Sequence, residues 1–205
     1  MAGLEARTRV LPLTGDAALV VLAGGRSSRM GRAKRDLPVG GATLLEWIVA
    51  RLGPAFAETL VAGGAAPLGS RAVADRHTDA GPLAGIEASL LAMRAERAFV
   101  VACDLPRASA RLAGLLLERS AGADAAVPRV AGRAQPTCAV YARSAATKLG
   151  AYLEAGERRA TEALDKLNVV YLDDADLARA GIALTELDDL DTPADYDAFI
   201  ASLGT

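Results

Sequence analysis

Ala18-Leu19-Val20-Val21-Leu22-Ala23-Gly24-Gly25-Arg26-Ser27-Ser28-Arg29-Met30-Gly31-Arg32-Ala33-Lys34 changes character at Ala23, from an unbroken apolar run to glycine, serine and base. The run Ala18–Ala23 has no polar position. It reads as a strand hidden on both faces, and such strands belong to parallel sheets covered by helices. The glycines that follow let backbone N–H groups turn toward phosphate oxygens with no Cβ in the way. Arg29 and Lys34 add side-chain positive charge to the same loop. The spacing excludes two familiar phosphate loops. Five residues separate Gly25 from Gly31 and Arg32 follows, so this is neither a Walker A nor a GxGxxG turn. A plain glycine turn with solvated arginines is the alternative.

Outward from this stretch, strands and helices alternate. A loop from Gly24 to Gly41 precedes a helix over Leu44–Leu52, and Glu58–Ala62 returns as a short strand. Val73 lies in another. Pro82 suits the first turn of a helix, and Leu83, Ile86, Leu90 and Met93 follow at helical spacing. Ala98–Ala102 is a second fully apolar strand, and Ser109 is placed to cap a helix running to about Arg119. Ala125–Pro128 and Thr137–Tyr141 read as strands around a turn at Gly132. Helices follow over Ser144–Glu154 and Thr161–Leu167, then a strand over Val169–Leu172. A closing helix covers Pro193–Leu203, with Thr192 or Asp191 as its cap. This alternation predicts a doubly wound α/β fold with a mostly parallel sheet. Residues 1–16 lack periodicity and read as a flexible N-terminal extension, leaving 17–205 as one domain.

Composition removes several function classes. There are 23 basic and 25 acidic residues spread along the chain, for a formal charge of −2, so nucleic-acid binding by charge alone is a poor match. The apolar stretch at 17–23 is too short for a membrane helix. Two cysteines, Cys103 and Cys138, and one histidine, His77, are too few for a structural zinc site. The cysteines read as buried, reduced thiols, and the chain as a soluble cytoplasmic protein. Only three basic residues are lysines, which makes Lys34 in a glycine-rich loop informative.

A second loaded loop is Cys103-Asp104-Leu105-Pro106, directly after the strand Ala98–Ala102. Ligands of open α/β sheets bind beyond the carboxyl ends of the strands. A carboxylate there can hold Mg²⁺, a hard ion that bridges nucleotide phosphates. Alternatively, Asp104 caps the helix that follows.

These segments together carry a resemblance. The first loop resembles the LAGGxSxRMGxxK signature of the nucleotidyltransferases that build molybdenum-cofactor dinucleotides, the molybdenum cofactor guanylyltransferases in particular. Gly81-Pro82-Leu83-Ala84-Gly85-Ile86 is similar to the family's GPLAG segment, and Cys103-Asp104-Leu105-Pro106 to its CDxP metal segment. Val127–Pro136 resembles the part that closes over the acceptor. Leu190-Asp191-Thr192-Pro193 resembles the terminal NxNTP, with acid in place of amide. Ala33 stands where the family often has aspartate, and Ala62-Gly63-Gly64 where it has asparagine.

The resemblance implies a three-layer α/β/α sandwich of the nucleotide-diphospho-sugar transferase type. It implies GTP contacts from Leu22, Ala23, Gly24 and Lys34, a nucleotide-contacting Asp75, and Asp104 holding both nucleotide and Mg²⁺. The expected chemistry is attack by a molybdopterin phosphate oxygen on the α-phosphorus of GTP, with pyrophosphate leaving. The Gly24-Gly25 amides would fix the triphosphate, and Lys34 and Arg29 would offset developing charge. Arg133, Arg158 and Arg159 are candidates for the anionic acceptor. Molybdoenzyme-maturation proteins are further partners that the family implies. Two alternatives remain: a cytidylyltransferase acting on the same cofactor, whose loop usually reads LAAG, and a nucleotide-binding protein without turnover.

Overall fold

In the computed structural model the described residues are 17–24, 33–77 and 79–204; the expected extension 1–16 lies outside them. In chain order the strands and helices are β1 (Ala17–Leu22), β2 (Pro38–Val39), β3 (Ala42–Thr43), α1 (Leu44–Leu52), β4 (Glu58–Ala62) and β5 (Arg71–Val73). Next come α2 (Pro82–Ala92), β6 (Arg97–Ala102), α3 (Ala110–Arg119), β7 (Ala125–Val130), β8 (Arg133–Ala134), β9 (Cys138–Ala142) and α4 (Ala145–Glu154). The chain closes with α5 (Ala160–Ala163), β10 (Val169–Leu172), α6 (Asp174–Arg179) and α7 (Pro193–Leu203).

The sheet runs β10-β7-β9-β6-β1-β4-β5, with β8 paired to β7. β1 pairs in parallel with both β4 and β6, and β4–β5 and β7–β10 are parallel too; β9 is antiparallel to its neighbours β6 and β7, and the short β8 is antiparallel to β7. The all-apolar composition of β1 follows from this central place. Its residues alternate between two cores: Leu19, Val21 and Ala23 join α1, α3, α6 and α7, while Ala18, Val20 and Leu22 join α2, α4 and the α5 region. Helices on both faces make three layers.

Because the chain passes from β1 to β4 on one side and later places β6 on the other, the carboxyl ends of β1 and β6 form a topological switch point, where open sheets leave a crevice. Local chemistry sets the helix starts around it. Thr43 and Glu46 form a reciprocal capping box at α1, and Thr192 and Asp195 form another at α7, with Pro193 at the first helical position. Thr192, not Asp191, is therefore the cap of α7.

The structure differs from the sequence reading in four places. The expected loop 24–41 ends in a β2–β3 hairpin, turned by Gly40 (φ 55°) and Gly41 (φ 88°), a left-handed pair that suits a two-residue hairpin. β8 extends the turn around Gly132. The helix expected over Thr161–Leu167 is α5 continued by one 3₁₀ turn, Leu164–Lys166. α6 is unforeseen because its six residues are too few for periodicity to register; it starts on an Asp173–Asp176 capping box. Both cysteines are free and buried, and no helix among the described residues is long and apolar enough to cross a membrane.

Candidate active site

Three loops meet at the switch point. Ala23-Gly24 leaves β1, Cys103-Asp104 leaves β6, and Asp191 stands just before α7. The first two border a cavity of ≈ 730 Å³ whose walls include Leu22, Ala23, Gly24, Lys34, Asp75 and Asp104, and Asp191 reaches it through Lys34. All the described nucleotide-binding candidates from the sequence are thus in one place. Gly25 and Arg29 lie outside the described residues.

Lys34 opens a 3₁₀ turn, and its Nζ donates to Asp104 Oδ2 at 3.0 Å and to Asp191 Oδ1 at 2.7 Å. Its side chain is 17 % exposed. Burial would lower the ammonium pKa, but the hydrogen bonds to Asp191 and Asp104 outweigh it, and the net shift is upward. Asp189 joins the same field: burial, then the charges of Asp191 and Asp104, raise its carboxyl pKa. Asp104 is also fixed through its backbone, since its carbonyl accepts from Leu190 N–H at 2.9 Å. The capping box of α7 reaches back to this point, because Asp195 Oδ2 accepts from the backbone N–H of Asp191 at 3.2 Å. Acid at position 191, where the sequence raised the question of an altered motif, is thereby aimed at the lysine.

Just past the ends of β1 and β4 the backbone at Gly24 comes close to that at Gly63. A Cβ on Gly63, whose φ is 77°, would come 2.6 Å from Gly24 Cα and 2.8 Å from Gly24 N. Only glycine fits there, and the apposition leaves the Gly24 backbone at the cavity rim. Asp75 stands nearby, its carboxyl pKa raised by burial, with no side-chain hydrogen bond among the described residues.

Sequence reasoning missed two arginines. Arg35 Nη1 donates to Ala23 O at 2.8 Å and Gly63 O at 2.9 Å, tying the Lys34 turn to the ends of β1 and β4. Arg51, on α1, donates Nη2 to the carbonyls of Pro106 and Ala108, bracing the loop that carries Asp104. A basic residue beside Lys34 gave a weak signal for the first; nothing in the pattern marked the second. Arg158 donates to the Leu153 and Glu157 carbonyls and Arg159 pairs with Glu162; neither they nor Arg133 appear among the described residues lining the cavity. Thr137 does, at the end of the Val127–Pro136 segment, which is anchored by Tyr141 Oη donating to Pro136 O at 2.8 Å. Cys103 also lines the cavity, but burial pushes its thiol up to about 12, so it is no nucleophile at neutral pH.

Comparison with known proteins places the chain in a family. Residues 19–169 match the MobA-like NTP transferase domain family. The chain is 34 % identical over 180 residues to a protein of Pelotomaculum thermopropionicum named "Probable molybdenum cofactor guanylyltransferase", covering 86 % of this chain and 88 % of that one. It is 34 % identical over 188 residues to the molybdenum cofactor guanylyltransferase of Yersinia pseudotuberculosis, covering 87 % and 92 %. Among solved structures it superposes on molybdopterin-guanine dinucleotide biosynthesis protein A from Archaeoglobus fulgidus with a TM-score of 0.79 and 27 % identity, covering 91 % of this chain and 98 % of that one.

Proposed function

The chain belongs to the MobA-like NTP transferase family, and from that premise we infer that it transfers GMP from GTP to molybdopterin, forming the guanine dinucleotide of the cofactor and pyrophosphate. The observation that carries this reading is Lys34 held between Asp104 and Asp191 at the mouth of a nucleotide-sized cavity. A phosphate monoester is already a competent nucleophile near neutral pH. The chain therefore needs to position two anions and offset their charge rather than supply a base.

The Gly24 backbone, brought to the rim by Gly63, cradles the triphosphate. Lys34, kept as an ammonium, neutralises charge as the oxygen–phosphorus bond to the acceptor forms and the bond to the leaving pyrophosphate breaks. Asp75 takes a polar group of the nucleoside. The donor set fits Mg²⁺: Asp104 and Asp191 offer hard carboxylate oxygens, Lys34 bonds to one oxygen of each (Oδ2 and Oδ1), and the thiol of Cys103 stays protonated. Among the described residues no three ligating side chains cluster, so phosphate and water oxygens would complete the sphere. Asp104, with Asp191 beside it, would hold the ion, which when bound supplies charge stabilisation to the phosphates. Two buried thiols suit a reducing cytoplasm, from which molybdoenzyme-maturation proteins would take the product.

The test is pyrophosphate release from GTP, CTP, ATP and UTP with Mg²⁺ and molybdopterin, comparing the wild type with Asp104→Ala. GTP-selective release that disappears in the variant is expected. Selectivity for CTP would keep the chemistry and change the product, and no release with a verified acceptor would leave a nucleotide-binding protein without turnover.

A further inference from the structure

Helix α2 is buried from Leu83 to Leu90, and into that setting it carries one charge, Glu87. The Glu87 side chain is 2 % exposed. One carboxylate oxygen accepts from Arg76 Nη1 at 2.8 Å, and the other, Oε2, has no partner among the described residues. α4 makes room for the group: a Cβ on Gly150 would stand 3.4 Å from Glu87 Oε1. A buried ion pair is a weak source of stability, and an apolar pair of the same volume would often serve the fold as well. The Arg76 side chain is itself 60 % exposed, so burial does not require it to pair.

What the pair does is tether a segment. Arg76 lies between β5 and α2, one residue after Asp75, in a stretch that lines the cavity through Asp75, Asp79 and Ala80. Between residues 75 and 80 the bond to Glu87 is the only side-chain hydrogen bond among the described residues. Two residues before Glu87, the same helix seats Asp75. A Cβ on Gly85 would meet Ala62 Cβ at 3.1 Å and Leu22 Cδ2 at 3.2 Å, and would lie 3.6 Å from Asp75 Oδ1. One turn of α2 therefore supplies both the floor under Asp75 and the anchor beside it.

We propose that Glu87, acting through Arg76, is a positioning residue for the nucleotide: it pins residue 76 and so aims the neighbouring Asp75 into the cavity. This rests on the reading of the cavity as a nucleotide site. Calorimetric binding of GTP, CTP, ATP and UTP to the full chain with Mg²⁺, alongside thermal melting, separates positioning from folding. Removing the charge pair together in R76M/E87L is expected to leave the melting temperature at or above that of the wild type. It should still weaken the tightest-bound nucleotide by about tenfold to a hundredfold, the scale of a misplaced contact. R76M should weaken binding likewise, R76K should restore most of it, and adding R76M to D75A should change affinity by less than about twofold, because residues acting in series are not additive. Binding by R76M/E87L within twofold of the wild type would overturn the proposal alone, as would R76M weakening D75A as much as it weakens the wild type. A wild-type chain that binds none of the four nucleotides would overturn the cavity reading and the proposal with it. A preference for a base other than guanine leaves the proposal standing, since every comparison uses the nucleotide that the wild type binds best.

Discussion

Lys34 is held by two carboxylates that lie 70 and 157 residues away in the chain. Its pKa is raised above the ordinary 10.5, burial opposing and the two hydrogen bonds prevailing. For a lysine shifted this way, the stabilisation is complete below 10.5 and is lost as pH rises through the higher folded value. Lys34→Ala should therefore lower turnover by about 100-fold to 1,000-fold, the loss of one preorganised charge at reacting phosphate. The wild-type rate should show no alkaline limb between pH 7 and 9 in a kcat/KM profile; a midpoint in that range would mean that another group does the work. Asp75 shifts in the same direction, but its charged form at neutral pH is the disfavoured one. Burial raises its pKa, so its contribution to stability is present below the unfolded 3.8 and lost as pH rises through the folded value. Asp75→Asn should melt higher than the wild type at pH 7 but not near pH 3, and should bind nucleotide more weakly. A lower melting temperature at pH 7 would show that the carboxylate is paired rather than stranded.

At the scale of elements, much was legible where chemistry is local. The β1 run, the strand ends at Gly24 and Asp104, and the caps Ser109 and Thr192 each declare themselves within four residues, and the structure places α1, β4 and β10 over the expected spans. The β2–β3 hairpin is also written in the chain, as Val39-Gly40-Gly41-Ala42, but strands of two residues are too short for alternation to register. α6 was not legible, since six residues make less than two turns. The cap of α7 has a second duty, because the carboxylate of Asp195 that closes the box also holds the Asp191 backbone. Thr192→Ala should lower stability by about 1 kcal/mol, a fall of about 2–4 °C for a chain of this size, and should also reduce turnover by loosening Asp191. Asp173→Ala removes the equivalent cap of α6, away from the cavity, and should show a similar melting change with turnover within about twofold. Equal turnover losses in the two variants would break the link between the α7 cap and the site.

For the whole molecule, the site is a product of the tertiary fold, and this decides which parts of it a sequence can reveal. Lys34 and Asp104 were visible because each sits in a motif, and the structure brings them into contact. The contact of Asp191 with Lys34, the brace from Arg51 and the Arg76–Glu87 tether have no local signature; the first two pair residues 157 and 55 positions apart, and the third joins a loop to the second turn of the helix after it. The element that completes the site is the last one in the chain. α7 docks through Phe199, buried at 1 % exposure with its ring edge-on to Trp47 of α1 at 5.3 Å, and through Tyr196 Oη, which donates to the Pro38 carbonyl. Undocking α7 would withdraw Asp191 while leaving the sheet in place. Phe199→Ala should cost about 3–5 kcal/mol. Leu164→Ala should cost about 2–5 kcal/mol; Leu164 is equally buried, but on the other face and before the amino-terminal end of β10, away from the cavity. Both variants should keep the far-UV spectrum of the wild type at 20 °C and melt earlier by comparable amounts. Only Phe199→Ala should lose most of its turnover below its melting transition, because there the missing contact holds a side chain of the site as well as a helix of the core. If the two variants kept the same activity per folded molecule, Asp191 would be held from its own loop and α7 would be packing alone.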